Sequence, residues 1–229
     1  MDLQKVYAAI SRHYESTNHI LTLGLDAAWR RTAVRAALRD PATGPWLDLC
    51  SGTGETALAL SDRAPAGVTV ISADFSLPML EEGISKRGAG RLVPVAASAD
   101  ALPFPEGTFG LVTVTFAARN LRSRQGLFMA SLREIRRVLR PGGRFVNLET
   151  TRPRLRPMRA VLDAYARIGV GRLGKLLTGE RDGYAYLSGS IRSFPGSREL
   201  ASEILEAGFS GVTWRELAPG VVAVHEALA

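Results

Sequence analysis

Apolar and polar positions along this chain follow two rhythms that alternate. Ala27-Ala28-Trp29 and Val34, Ala37 and Leu38 recur at helical spacing, and the segment 1–45 reads as helical until Asp40-Pro41-Ala42-Thr43-Gly44-Pro45 breaks it. Short apolar or β-rich runs then predict strands at Trp46 to Cys50, Val68 to Ala73, Leu92 to Ala96, Leu111 to Phe116 and Phe145 to Glu149. Between them, Glu55 to Arg63, Leu77 to Arg87 and Gly126 to Arg140 predict helices, with Pro78 in a first turn and Pro141-Gly142-Gly143 as a stop. Strands alternating with helices argue for a parallel sheet covered on both faces. From Arg152 to Pro195 the rhythm lapses, which predicts an inserted, mostly helical cap. It resumes with a helix from Ser197 to Ala207, then strands from Val212 to Leu217 and Val221 to Ala227 around a tight turn at Gly220. Strands joined so closely must be antiparallel. The expectation is one α/β, Rossmann-like domain with a seven-stranded, mainly parallel sheet whose last strand is antiparallel. Its parts are an N-terminal helical segment 1–45, a core 46–151, a cap 152–195 and a C-terminal part 196–229.

Composition changes this picture little. A chain of 229 residues can bury a sizeable single core. It has no apolar run of about 18 residues and no signal-like N-terminus, so a cytoplasmic protein is expected. One cysteine, Cys50, and three scattered histidines, His13, His19 and His225, predict neither an internal disulfide nor a metal. The net charge of +7 is carried almost wholly by arginine. It implies an acidic partner such as nucleic acid, an anionic membrane or a small anion, or else a GC-rich coding bias.

The first candidate chemistry lies in Asp48-Leu49-Cys50-Ser51-Gly52-Thr53-Gly54-Glu55, a strand end that turns into a helix. Small residues let backbone approach a ligand, and a helix N-terminus offers free N–H groups to an anion. The spacing is neither the G-x-G-x-x-G of a dinucleotide site nor a P-loop. Asp74 ends the next strand, where an acid can accept hydrogen bonds from both ribose hydroxyls. Capping the helix from Leu77 is its alternative role, although Ser76 is better placed for that. Phe75 and Met79, which follow in the same segment, are expected to contact the same ligand. Ser98-Ala99-Asp100, leading into Ala101-Leu102-Pro103-Phe104-Pro105, would pack on an adenine and bond its amine, or simply hold the chain in register. Asp48, Gly52, Thr53, Gly54, Asp74, Ser98, Ala99 and Asp100 together fit a nucleoside with an amino-acid tail, S-adenosylmethionine.

The chain also resembles the ubiquinone/menaquinone biosynthesis C-methyltransferases, from about Tyr14 to His225. Leu47-Asp48-Leu49, Gly52-Thr53-Gly54 and Pro141-Gly142-Gly143 are shared with many methyltransferases. Trp29-Arg30-Arg31 also matches, and Arg119-Asn120, Ser190-Ile191-Arg192 and Gly220-Val221-Val222-Ala223…His225 are more specific to this family. The resemblance implies a Rossmann-like methyltransferase fold and cofactor contacts at Thr53, Asp74, Ser98, Ala99 and Thr115. It also implies C-methylation of a prenylated quinol, demethylmenaquinol above all, with another small aromatic as the alternative substrate. Cys50-Ser51, Glu15, Thr17, Ser98, Thr115 and Phe116-Ala117-Ala118 depart from the family pattern.

Methyl transfer to carbon requires alignment and an electron-rich ring. Arg119, just past the fourth predicted strand, is expected to stabilise a phenolate, because a guanidinium is a poor base. Asn120 is expected to orient the substrate. Glu149 is the candidate proton acceptor or, equally, the partner of a nearby arginine. Tyr184 and Arg192 of the cap are expected in the quinol pocket, although Tyr184 and Tyr186 could merely pack the cap on the sheet. His225 should lie on the order of 16 Å down the antiparallel strand from Gly220, in a structural role. Between Arg152 and Arg181 there are eight basic residues and two acidic ones. The resemblance implies a lipophilic quinol as partner, the basic cap an anionic membrane surface touched peripherally; a second copy of the chain is also expected, and no specific nucleic acid.

Overall fold

The computed structural model describes residues 19–40, 43–86, 91–122, 126–173 and 188–229. Seven strands form one sheet: β1 (Trp46–Leu49), β2 (Val70–Asp74), β3 (Leu92–Ala96), β4 (Phe109–Thr115), β5 (Leu139–Thr150), β6 (Gly211–Leu217) and β7 (Val222–Leu228). Their order is β3-β2-β1-β4-β5-β7-β6. Every pairing is parallel except those of β7 with β5 and with β6. The expected single antiparallel strand is therefore the last one. Every residue of β1 and β4 is buried, as befits central strands covered on both faces. β3, at the sheet edge, leaves most of its residues exposed.

The helices are α1 (Leu25–Ala37), α2 (Glu55–Ser61), α3 (Leu77–Ile84), α4 (Ala118–Leu121), α5 (Leu127–Val138), α6 (Arg156–Ala164) and α7 (Ser197–Glu206). Alternate strand residues face opposite layers. Leu47, Phe109 and Phe145 pack with Leu132 and Ile135 of α5 and Leu200 and Ile204 of α7. Trp46, Leu111 and Val146 pack on the other side with Ala33 and Val34 of α1 and Leu60 of α2. In the cap, α6 continues into a π-helical stretch, Tyr165–Leu173. A third cluster, including Leu21, Met79, Leu162, Val170 and Ile191, ties this cap to α3.

One boundary differs from the sequence reading. Pro141-Gly142-Gly143 does not stop α5, which ends at Val138; β5 begins at once at Leu139 and passes through these residues. The sheet absorbs them in an irregularity, where Phe109 pairs with Leu139 but Leu111 already pairs with Arg144. A Cβ on Gly143 would lie 2.8 Å from the Arg140 carbonyl oxygen, so glycine is required for this close approach.

The chain leaves β1 toward β2 on one side, whereas β4 and β5 build on the other side of β1. Crevices for ligands open where the order reverses, beyond the carboxyl ends of such strands. No helix among the described residues is long and apolar enough to cross a membrane.

Candidate functional site

The β1–α2 turn is built on unusual backbone. Cys50, Gly52 and Gly54 all have positive φ, at 54°, 57° and 81°. A Cβ on Gly52 would meet nothing within 4 Å, so the turn borders an open cradle. Asp74 reaches this turn from the end of β2. Its Oδ2 accepts the Gly52 N–H at 2.8 Å and its Oδ1 accepts the Ser76 N–H at 2.9 Å. Burial raises the Asp74 pKa, and these backbone donors oppose the rise. Asp74 is not the N-cap of α3: Ser76 holds that position without a side-chain cap, and Asp74 accepts the Ser76 N–H just before the helix begins.

Asp48 is fully buried on β1. Thr113 donates its hydroxyl to Asp48 Oδ1 at 2.6 Å, while Oδ2 has no partner among the described residues. Burial pushes the carboxyl up to about 7. Thr53 is buried and donates to Glu55 Oε1 at 2.6 Å. Burial works to raise the Glu55 pKa, but the adjoining Lys86 ammonium prevails and lowers it. In the loop after β3, Ala99 is buried while Ser98 and Asp100 are exposed and hydrogen-bonded together. The following residues are clamped from α5: Glu134 accepts the Leu102 N–H, and Arg137 donates to the Phe104 and Leu102 carbonyls. Phe75 is exposed, and Met79 is buried in the cluster that includes the cap residues Leu162 and Val170.

These features fit S-adenosylmethionine. An open glycine cradle, an unpartnered buried acid oxygen on β1 and an acid at the end of β2 share one sheet edge. Asp74 would hold the ribose and the turn the amino-acid tail. The cofactor supplies an electrophilic methyl group on a sulfonium.

Beside this edge lies a cavity of about 360 Å³ between α1, β4, β5 and the cap. Its wall is chiefly apolar, with Trp29, Phe116, Met158 and Leu162 among its residues, and Arg119 contributes a cation. The Arg119 side chain is 9% exposed and pairs with fully buried Glu149, Nη1 to Oε1 at 2.5 Å. Glu149 also accepts the Arg119 N–H at 3.1 Å and the Thr150 N–H and hydroxyl at 2.7 and 2.9 Å. Of the two readings of Glu149, the geometry is that of an arginine partner, with both oxygens engaged, rather than of an open base.

Asn120 sits beside Arg119 on α4 but is not among the residues that line the cavity. Arg192 also stays out of the wall. It lies 3.8 Å from Asp163 and is about half exposed, while its neighbour Ile191 lines the cavity. The helical turn at 188–193 presents the apolar residue inward and the cation outward. Tyr184 lies outside the described residues. His225 is buried opposite Asn147 and donates from Nε2 to the Ser197 carbonyl at 2.8 Å, and burial lowers its pKa. It is a structural residue, as expected.

Two groups were not singled out from the sequence. Arg30 stacks on Phe116 at 5.3 Å and donates to Thr115 Oγ1 at 3.1 Å, and Thr115 in turn bonds Thr56 at 2.9 Å. Thr115, expected at the cofactor, thus links the cavity wall to the first turn of α2. Asp26 enters the same wall from α1. The Trp29-Arg30-Arg31 motif marked this segment, but spacing along α1 cannot say that its face meets a cavity.

Comparison with known proteins places this geometry. A model of the ubiE/COQ5 methyltransferase family matches residues 1–229. A demethylmenaquinone methyltransferase of Mycolicibacterium gilvum is 39% identical over 227 residues, covering 99% of this chain and 94% of that protein. The protein of the same name from Beutenbergia cavernae is 38% identical over 226 residues, covering 99% and 90%. Among solved structures, a SAM-dependent methyltransferase of Thermotoga maritima superposes with a TM-score of 0.66 at 13% identity, covering 98% of both chains. One from Aquifex aeolicus gives 0.59 at 14% identity, covering 85% and 88%. These distant structures share the fold. The chain belongs to the ubiE/COQ5 methyltransferase family and is an S-adenosylmethionine-dependent methyltransferase.

Proposed function

We propose that the enzyme methylates a ring carbon of a prenylated quinol, converting demethylmenaquinol to menaquinol. The observation that carries this reading is the apolar cavity beside the cofactor edge, with Arg119 in its wall and buried Glu149 holding that arginine from behind. A cavity of this size and lining suits a flat aromatic with a hydrocarbon tail. Glu149 holds the guanidinium in place, so Arg119 meets a developing phenolate with little reorganisation. The shared name of the relatives favours a quinol over another small aromatic. The test is single-turnover transfer to a short-chain demethylmenaquinone, reduced and oxidised, with the methyl position fixed by NMR. The reduced ring is expected to be methylated on carbon and the electron-poor quinone not at all. Methyl on oxygen, or equal rates with both rings, would defeat the reading. Arg119→Lys keeps the charge but loses the planar fork, so it should lower kcat more than cofactor affinity.

A long-tailed quinol resides in a bilayer, so the enzyme would work at the cytoplasmic membrane face. Leu23 and Val161 line the cavity yet stay largely exposed at its mouth, and Arg154 and Arg156 stand exposed in the adjoining cap. Apolar side chains flanked by arginines suit an anionic lipid surface.

A further inference from the structure

Asp26 is an anomaly in the cavity wall: a carboxylate that is 7% exposed in mainly apolar surroundings. Buried charges of this kind are costly unless they are held by specific partners. Asp26 has two. Thr22 donates its hydroxyl to Asp26 Oδ1 at 2.9 Å, and the His19 ring nitrogen Nδ1 lies 3.0 Å from the same oxygen. The position in the first turn of α1 also favours the anion. His19 differs sharply in setting, because its side chain is 58% exposed. The pair therefore runs from the cavity wall to solvent.

Local backbone brings the two together. Leu23 and Gly24 both take positive φ, which folds residues 19–22 back over the start of α1. A Cβ on Gly24 would come within 3.3 Å of the His19 ring, so the turn leaves room for the imidazole there. On the cavity side, Tyr165 senses both charges. Burial raises its pKa, Arg119 lowers it and Asp26 raises it further. The carboxylate of Asp26 and the guanidinium of Arg119 thus act on one region of the cavity, which Arg30 also lines.

We propose that Asp26 is the general base that accepts the phenolic proton of the quinol, and that His19 is the positioning residue through which that proton reaches water. The proposal rests on the quinol reading above. The quinol O–H bond breaks, its electron pair stays on oxygen opposite Arg119, and the proton passes to the Asp26 carboxylate. The adjacent ring carbon, now electron-rich, would form the new bond to methyl as the methyl–sulfur bond of the sulfonium breaks, its electron pair staying on sulfur. The C–H bond at that carbon then breaks, its electrons restore the aromatic ring, and the oxygen regains a proton. One proton per turnover is left over, and Asp26 returns it to solvent by way of the imidazole. Glu149 cannot readily serve here, since its oxygens already hold Arg119 and Thr150.

The bland alternative is that Thr22, Asp26 and His19 only fasten the start of α1, and the test separates the two. Asp26→Asn keeps the shape and an acceptor for Thr22, but removes the base. With a reduced short-chain quinol and the full-length enzyme, kcat should fall by ~10²-fold or more, the scale of general base catalysis. KM for the quinol and calorimetric affinity for S-adenosylmethionine should change less than about threefold, against that ~10²-fold loss. Asp26→Ala should recover rate in proportion to added formate, and His19→Ala in proportion to added imidazole, neither of which a helix fastener would do. A readout without turnover is the ¹⁵N resonance of the His19 ring. Saturation of the cofactor-free protein with 1,4-naphthohydroquinone should shift it in the wild type and not in Asp26→Asn. Full kcat in Asp26→Asn, or loss of rate that no small base restores, overturns the relay and leaves the substrate reading intact. A wild type that does not methylate the quinol overturns the substrate reading and the relay with it.

Discussion

Asp48 and Asp74 lie near the carboxyl ends of adjacent parallel strands, and burial acts on both carboxyls in the same direction. The Asp48 carboxyl titrates at about 7 when folded, against 3.8 for an ordinary aspartate. Between those values the native chain holds a proton that the unfolded chain has released. Stability should therefore fall as pH rises from about 4 to 7 and level off above that. Asp48→Asn removes this cost and keeps an acceptor for Thr113. It should raise the melting temperature at pH 8, with the advantage vanishing near pH 4. A melting curve with the same pH dependence in both proteins would remove Asp48 as its source. For Asp74 the expected effect is on ligand. Asp74→Ala should weaken S-adenosylmethionine by roughly 1.5–3 kcal/mol, the scale of lost charge-assisted hydrogen bonds, as calorimetry would measure. At this scale the sequence was partly legible. An acid at the end of β2 is visible in a bare chain, because strand and turn are local patterns. An arginine partner for Glu149 stood there as one of two readings, but which arginine it is, and that Thr150 shares the carboxylate, was not legible, since 30 residues separate the ion pair.

Elements were legible in kind and less so at their ends. β3 runs from Leu92 to Ala96, as the pattern predicts, whereas β5 starts six residues before its predicted first residue, at Leu139 rather than Phe145. Proline and two glycines look like a helix stop in isolation, yet pairing with β4 draws them into a strand. Gly143→Ala tests this account. The added methyl would press on the Arg140 carbonyl and should destabilise by about 1–3 kcal/mol in urea denaturation, the usual cost of overpacking. Gly142→Ala should act differently, because there the φ of 73° and not crowding is the obstacle. The cap is the element that periodicity described least. Its Arg-rich helix α6 buries only Leu162, so no strong apolar stripe announces where it docks.

For the whole molecule, charge and cavity combine. Between Arg152 and Arg181 the chain carries eight basic residues and two acidic, and the described part of this segment stands over the cavity. Binding to anionic vesicles should weaken steeply with salt, each basic residue near the surface contributing about 1 kcal/mol. Flotation with equal recovery on neutral and anionic lipid would defeat this expectation. The succession of strands and helices, the cofactor turn and the family motifs were all within reach of the sequence, because short-range periodicity and turn chemistry govern them. The reversal of order at β1, the enclosure of a cavity under the cap and the meeting of Asp26, Arg30 and Arg119 in one wall belong to the tertiary structure. Those contacts join segments far apart in the chain, and only packing, which lowers the free energy of the whole rather than of any segment, decides which faces meet.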